Sequence, residues 1–174
     1  MRDEAAFVEF AERARPRLRR TAYLMCGDWQ HASDHVQEGL IRVYVAWPRL
    51  KREGREYAYA RKAVVSAVID HSRRRSSSEI PAEPDQNLTS GPDLAEALAL
   101  RSALMSALAG LPPRQRACVV LRYFEDLSVS DTAAALGCSD GTVKSQTSRA
   151  LTSLRSALDG SPIGDLTTEG AMPW

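Results

Sequence analysis

Nineteen residues toward the end of the chain constrain its fold more than any others: Leu127-Ser-Val-Ser-Asp-Thr-Ala-Ala-Ala-Leu-Gly-Cys-Ser-Asp-Gly-Thr-Val-Lys-Ser145. Ser128 can cap a helix with its hydroxyl, and Asp131 three residues on completes a capping-box variant. The alanines at 133–135 give that helix a thin packing face, so a second helix can cross it closely. Gly137 can take the left-handed backbone angle that an abrupt turn requires. A further helix begins near Ser139 and carries Val143, Ala150, Leu151 and Leu154 inward. Short helix, glycine turn and capped helix form the pattern of a helix-turn-helix. Such a unit lays its last helix in the DNA major groove, N-terminal half against the base edges. The outward residues there are Thr142, Lys144, Ser145, Gln146, Ser148 and Arg149, which are donors and acceptors of the kinds that meet phosphates and bases. An ordinary three-helix packing unit with a polar outer face would share part of this pattern. The glycine turn, the Thr-Val-Lys-Ser start and the basic surroundings favour DNA.

The rest of the chain reads as helices, with no strand pattern and no internal repeat. Phe7, Phe10, Ala14, Leu18, Ala22 and Met25 recur at steps of three and four. Pro16 lacks an N–H and should end one helix or begin the next. Gly27-Asp28 marks a turn, and Ser33 with Asp34 can cap the helix that follows. Val36, Leu40, Val43 and Trp47 lie on one face of that helix, which Ile41 and Tyr44 widen, and Pro48 is its stop. Residues 51–56 form a polar loop. A helix from about Tyr57 to Arg74 buries Tyr59, Ala63, Val64, Val68 or their neighbours. Residues 76–93 are rich in Ser, Pro, Asp and Glu and have the composition of a flexible linker. Beyond it Leu94, Leu98, Arg101, Met105 and Leu108 follow one helix face. Gly110-Leu111-Pro112-Pro113 interrupts, and a helix spans about Pro113 to Phe124. The expected fold is all-α: a helical domain at 1–75, a linker at 76–93, a second helical domain at 94–158, and a disordered acidic tail at 159–174.

Charge follows the same division. The net charge is only +1. Yet residues 1–75 carry sixteen bases against ten acids, residues 76–100 five acids and no base, residues 101–158 seven bases against four acids, and the tail three acids alone. Two basic blocks around an acidic stretch suit two nucleic-acid contacts, although solvated helix faces would produce the same pattern. No apolar run approaches the roughly 20 residues needed to cross a bilayer, and the Met1-Arg-Asp-Glu4 start does not look like a signal peptide. A cytoplasmic location is expected. Cys26, Cys118 and Cys138 are far apart and read as small buried hydrophobes. His31 and His35 are four apart but have no obvious third ligand except Asp34 or Glu38, so they read as surface residues, and neither metal nor cofactor is expected. No paired acid and base, nucleophile constellation or phosphate loop points to an enzyme.

The segment Leu111-Pro-Pro-Arg-Gln-Arg-Ala-Cys-Val-Val-Leu-Arg-Tyr-Phe-Glu-Asp-Leu-Ser, with the helix-turn-helix after it, resembles region 4 of bacterial sigma-70-type factors. Ala32-Ser-Asp-His-Val-Gln-Glu-Gly-Leu-Ile-Arg-Val-Tyr resembles their region 2.2 helix. Glu56-Tyr-Ala-Tyr-Ala-Arg-Lys-Ala-Val-Val-Ser-Ala-Val-Ile-Asp-His-Ser-Arg-Arg-Arg resembles regions 2.3 and 2.4. With regions 2 and 4 alone, the chain is similar to the extracytoplasmic-function group. Ala22-Tyr-Leu-Met-Cys-Gly-Asp resembles an actinobacterial, SigE-like subfamily within it. The resemblance covers about residues 5–158.

The resemblance implies a subunit that directs RNA polymerase core to promoter DNA. Asp34, Gln37, Glu38 and Arg42 would face the β′ clamp, and region 4 would sit on the β flap. Tyr57, Arg61, Lys62, Ser66, Asp70, Arg73 and Arg74 would meet the −10 element, with the loop at 51–56 helping to capture an unstacked base. Thr142, Lys144, Ser145, Gln146, Ser148 and Arg149 would read the −35 element. An anti-sigma protein or another inhibitory partner is expected. Three positions depart from the family pattern. Gly39 inside the clamp helix should weaken it by about 0.5–1 kcal/mol relative to Ala. Gln146 and Ser148 replace a basic and a bulky residue, and Ser66 replaces an Asn. The alternative is a helix-turn-helix regulator whose N-terminal helices sense or dimerise, which would need neither the clamp helix nor a basic first block.

Overall fold

The computed structural model describes residues 4–50, 55–75 and 92–158, and every regular element among them is helical. In chain order these are α1 (Glu4–Cys26), α2 (Trp29–Leu50), α3 (Arg55–Arg75), α4 (Pro92–Ala109), α5 (Pro113–Val119), a π-helical turn (Val120–Phe124), α6 (Val129–Leu136) and α7 (Asp140–Leu158). The all-α expectation holds. Most of the expected loop at 51–56, residues 76–91 of the expected linker, and the acidic tail lie outside the described residues.

α1 buries the predicted stripe of Phe10, Ala14, Leu18, Ala22 and Met25. It also runs unbroken through Pro16, where the sequence suggested a boundary. Pro16 lies on the exposed face, so the carbonyl it leaves unbonded can be solvated. Ala14 and Leu18, buried on either side, hold the helix in register across the defect. Gly27 makes the turn to α2 at φ 77°. The cap of α2 is Asp28, whose carboxylate accepts the His31 N–H at 2.7 Å. Ser33 and Asp34, the expected caps, sit one turn inside the helix.

α2 buries Val36, Leu40, Val43 and Trp47 as predicted. The Trp47 indole packs on the rings of Phe7 and Phe10, each at 5.4 Å between centroids. Ile41 instead points outward and is 64% exposed. Pro48 falls inside the last turn, and the helix continues to Leu50. α3 is covered on two sides, by α1 and α2 and by α5 and α6. It meets them with small and β-branched residues: Ala60, Ala63, Val64, Val65, Ala67 and Val68. Two-sided burial leaves one outward stripe, and Tyr59 falls on it at 39% exposure rather than in the core.

α2 and α3 approach each other closely at Gly39. A Cβ added to Gly39 would come within 2.5 Å of Val64 Cγ2 and 3.3 Å of the Val64 backbone nitrogen. Gly39 therefore lowers helix propensity but permits the contact that seats α3. The histidines differ from expectation. His35 is buried, and the His71 ring on α3 lies 5.1 Å from both His31 and His35.

α4 to α7 form the second unit around Ala107, Leu108, Leu111, Val119, Ala150, Leu154 and Leu158. On α4, Leu100, Ala103 and Leu104 pack toward this cluster, whereas Leu98, expected on the inner face, is 36% exposed. Ala117, Val120, Leu121 and Ala135 belong to the same core cluster as the buried residues of α1–α3. Within the described residues the two helical units thus share a core. Arg116 of α5 ties them further, donating to the Met25 carbonyl at the end of α1 (2.8 Å) and to the Ala109 carbonyl at the end of α4 (2.6 Å). A cation there satisfies free carbonyls and complements both helix dipoles.

Two expectations follow. Gly39→Ala should destabilise the chain by about 1–3 kcal/mol despite its better helix propensity, because the added methyl overpacks a stiff β-branched neighbour. Adding Val64→Ala should recover part of that loss. Thermal melts would decide, and an unchanged or raised Tm in Gly39→Ala would show that the contact relaxes freely. The second concerns His35. Burial, and next the neighbouring His71, hold its imidazole below the ordinary value of 6.5, against the smaller opposing pull of Glu38 and Asp34. The fold accommodates the neutral ring. Its contribution is therefore complete above pH 6.5 and declines as pH falls, since the unfolded chain takes up the proton first. Wild type should lose more stability than His35→Gln on acidification from about pH 7 to about pH 5; parallel losses would mean that His35 does not titrate there.

Candidate nucleic-acid interface

α6 and α7 meet as the sequence suggested. The Ser128 hydroxyl accepts the Asp131 N–H at 3.0 Å, and Gly137 closes α6 at φ 63°, ψ 43°. The Cys138 N–H returns to the Ala133 carbonyl at 3.1 Å, which completes the turn. The Ser139 hydroxyl then accepts the Thr142 N–H at 3.2 Å and starts α7. Val143 is fully buried, on a helix packed against α5 and α6, and fixes the rotation of α7. That rotation leaves Lys144, Ser145, Ser148 and Arg149 exposed, with Thr142 and Gln146 half-buried. Thr142 is also held at its hydroxyl, 2.9 Å from that of Ser139, and at its carbonyl, which accepts from Ser145 at 3.0 Å. Beside this face runs a groove lined by Arg122, Lys144, Ser148 and Arg155 among others. Three cations at its edge suit a phosphate backbone.

On α2, the predicted Asp34, Gln37, Glu38 and Arg42 are all exposed. Glu38 and Arg42 form an i, i+4 ion pair at 2.5 Å. Ile41 at 64% exposure and Val45 at 67% lie on the same stripe, one and two turns on from Gln37 and Glu38. Charged and bare β-branched side chains thus share one stripe of α2. The sequence reading assigned Ile41 to the buried side and passed over Val45. Helical phase held the signal, since 34, 38, 41 and 45 share one face.

The predicted residues on α3 divide into two groups. Lys62, Asp70, Arg73 and Arg74 are exposed and Ser66 is half-buried, all along its outward stripe. Tyr57 and Arg61, at the start of the helix, are turned elsewhere. They meet Glu125, which follows the π-helical turn and whose side chain is fully buried. The turn closes with the Glu125 N–H on the Val120 carbonyl at 3.0 Å, and Asp126 beyond it adopts φ 53°, one of the left-handed positions that Asp tolerates.

Four side chains of the first unit surround the Glu125 carboxylate. The Thr21 hydroxyl donates to Oε1 at 2.5 Å and the Tyr57 phenol at 3.4 Å. Oε2 lies 3.1 Å from Arg17 and 3.7 Å from Arg61, ion-pair contacts without hydrogen-bond alignment. Both guanidinium groups also lie over the Tyr57 ring, at 5.5 and 5.6 Å from its centroid. Burial first, and then the charge of Glu125, drive the Tyr57 phenol well above its ordinary range and keep it a donor. Taking a carboxylate out of water costs several kcal/mol unless partners replace the water, so this cluster fixes how the two units meet. The sequence reading missed Arg17, Thr21 and Glu125. A hydroxyl at Thr21, three residues after Leu18 on an apolar stripe, was a partial signal. For Glu125 in a polar turn there was none.

Comparison with known proteins agrees with this geometry. Residues 10–78 match the family model Sigma-70 region 2, and residues 101–154 match Sigma-70, region 4. The chain belongs to the sigma-70 family of RNA polymerase sigma factors, in its extracytoplasmic-function group. It is similar to the RNA polymerase sigma-E factor of Streptomyces avermitilis, 39% identical over 157 residues, with 87% of this chain and 86% of that one covered. The sigma-E factor of Streptomyces coelicolor is 38% identical over 156 residues, with the same coverage. The ECF RNA polymerase sigma factor SigM of Mycobacterium tuberculosis is 29% identical over 148 residues, covering 85% of this chain and 74% of SigM. Among solved structures, the fold is similar to that of the sigma factor RpoE of Bartonella quintana, crystallised with the anti-sigma factor NepR. The TM-score is 0.68 at 22% identity, with 90% of this chain and 98% of that one covered.

Proposed function

We propose that this sigma factor works by binding alone, in the cytoplasm, through three separate faces. The α2 stripe of Asp34, Gln37, Glu38, Ile41, Arg42 and Val45 docks on the β′ clamp of core polymerase. The start and outward stripe of α3 (Tyr57, Arg61, Lys62, Ser66, Asp70, Arg73 and Arg74) hold the melted −10 strand. The outer face of α7 (Thr142, Lys144, Ser145, Gln146, Ser148 and Arg149) reads the −35 element as duplex, with region 4 on the β flap. Chemistry is left to the polymerase. The observation that carries this reading is the exposed apolar pair on α2. Ile41 and Val45, bare on one stripe among charged residues, supply an apolar contact that a protein partner would cover. An anti-sigma protein that covers the same faces is the inhibitory partner this reading expects.

Transcription from a fragmented genomic template with purified core polymerase tests the whole reading and yields the promoter sequence. Template-specific initiation is expected; no initiation above core alone would overturn it. Replacing both Ile41 and Val45 by Asp should weaken capture by core about tenfold or more while leaving the far-UV spectrum unchanged. Undiminished capture would remove the α2 assignment. Arg149→Ala should cost roughly 1–3 kcal/mol on the preferred −35 duplex and relax its specificity. An equal, small loss on every duplex would make Arg149 a phosphate contact.

A further inference from the structure

The Glu125 cluster joins two features that the family reading leaves separate. One is a buried carboxylate in region 4. The other is a set of donors on region 2 with the chemistry of an anion site: two guanidinium groups, a phenol and a hydroxyl converging on one point. Two of these donors, Tyr57 and Arg61, stand at the start of the helix proposed to hold the −10 strand. Exposed Lys62 follows Arg61 in sequence and lies with Asp70, Arg73 and Arg74 on the outward stripe of the same helix. In the closed chain Arg61 keeps only 12% of its side chain exposed, and its Nε is buried without a hydrogen-bond partner. The Glu125 Oε2 likewise has ion-pair neighbours but no aligned hydrogen bond. The carboxylate fills the site without saturating it. A tetrahedral phosphate offers more acceptor positions to the same four donors. Glu125 also sits where the backbone is least regular, between a π-helical turn and the left-handed Asp126; such turns tend to mark functional positions.

From this arrangement we infer that Arg17, Thr21, Tyr57 and Arg61 form an anion site that holds the Glu125 carboxylate in the closed chain and a backbone phosphate of the −10 strand in the open one. Glu125 then competes with promoter DNA, and region 4 restrains region 2 without a second protein. The inference rests on the −10 assignment of α3. The closed chain leaves Lys144, Ser145, Ser148 and Arg149 exposed, so the restraint acts on −10 binding and spares the −35 face. Arg17 and Thr21 become part of a site assigned so far only to α3.

The test uses the full chain and two variants. Glu125→Gln is isosteric and removes the charge. Thr21→Val removes the short hydrogen bond and leaves both arginines and the phenol in place. Far-UV spectra and melts establish that each folds. Small-angle scattering reads the separation of the two units. Fluorescence anisotropy reads binding to a labelled single strand carrying the −10 sequence found by transcription. Glu125→Gln should be more extended than wild type and bind the single strand on the order of tenfold more tightly. Thr21→Val loosens the closed chain but also removes one donor to the phosphate, so it should be more extended than wild type and bind the single strand less tightly than Glu125→Gln does, and binding of −35 duplex should not change. Equal single-strand affinity in wild type and Glu125→Gln would overturn the competition and leave the −10 assignment standing. Expansion without single-strand binding by any of the proteins would overturn the −10 assignment and the competition with it. A Glu125→Gln chain as compact as wild type would show that the carboxylate does not hold the units together.

Discussion

A carboxylate removed from water must recover its solvation from the protein, and Glu125 recovers it from the other helical unit. None of its four side-chain neighbours lies in region 4. Thr21 and Arg17 come from α1 and Tyr57 and Arg61 from α3, so the charge is satisfied only when region 4 is seated against both helices. The apolar contacts of Ala117, Val120 and Leu121 around it are non-directional and would tolerate several placements. The carboxylate and its donors tolerate far fewer, because a misplaced buried charge goes unpaired. Arg116 applies the same logic in the opposite sign within α5, where it donates to carbonyls of α1 and α4. One anion and one cation, about nine residues apart in sequence, set the register between the units.

The three faces of the molecule follow from that register. α2 packs inward through Val36, Leu40, Val43 and Trp47 and presents Ile41 and Val45 outward. α3 is covered on two sides and has only one stripe left exposed. α7 is rotated by Val143 and turns its basic residues to solvent. Each face is the remainder left by burial on the opposite side of its helix. A change in core packing, such as the fit of Val64 into the space at Gly39, would therefore turn a binding face as well as alter stability.

Sequence and structure parted where burial on one element depended on another. Periodicity identified the inner faces of α1 and α2, because the buried residues of each fall along one stripe at helical spacing. It misplaced Tyr59 and Leu98, because α3 and α4 have neighbours that a single helical wheel does not show. Pro16 was read from its local chemistry as a boundary. The helix passes through it because the residues on either side are anchored and the broken bond faces water. Gly39 was read as a defect, and its role appears only with Val64 beside it. The clustering of His31 and His35 with His71 was equally invisible, since the third ring comes from another helix.

By itself the sequence determined the all-helical class, the caps and turn of the helix-turn-helix, the outward residues of α7 and the membership of the sigma-70 family. These are local properties: cap chemistry, the left-handed angle at Gly137, and apolar spacing along one helix. Only the tertiary structure decided that Glu125 is buried, that Tyr57 and Arg61 surround it, and that Ile41 and Val45 are bare. Those facts depend on which surfaces meet. A charged residue in a polar turn carries the same local pattern whether it faces water or a nest of donors more than sixty residues away along the chain.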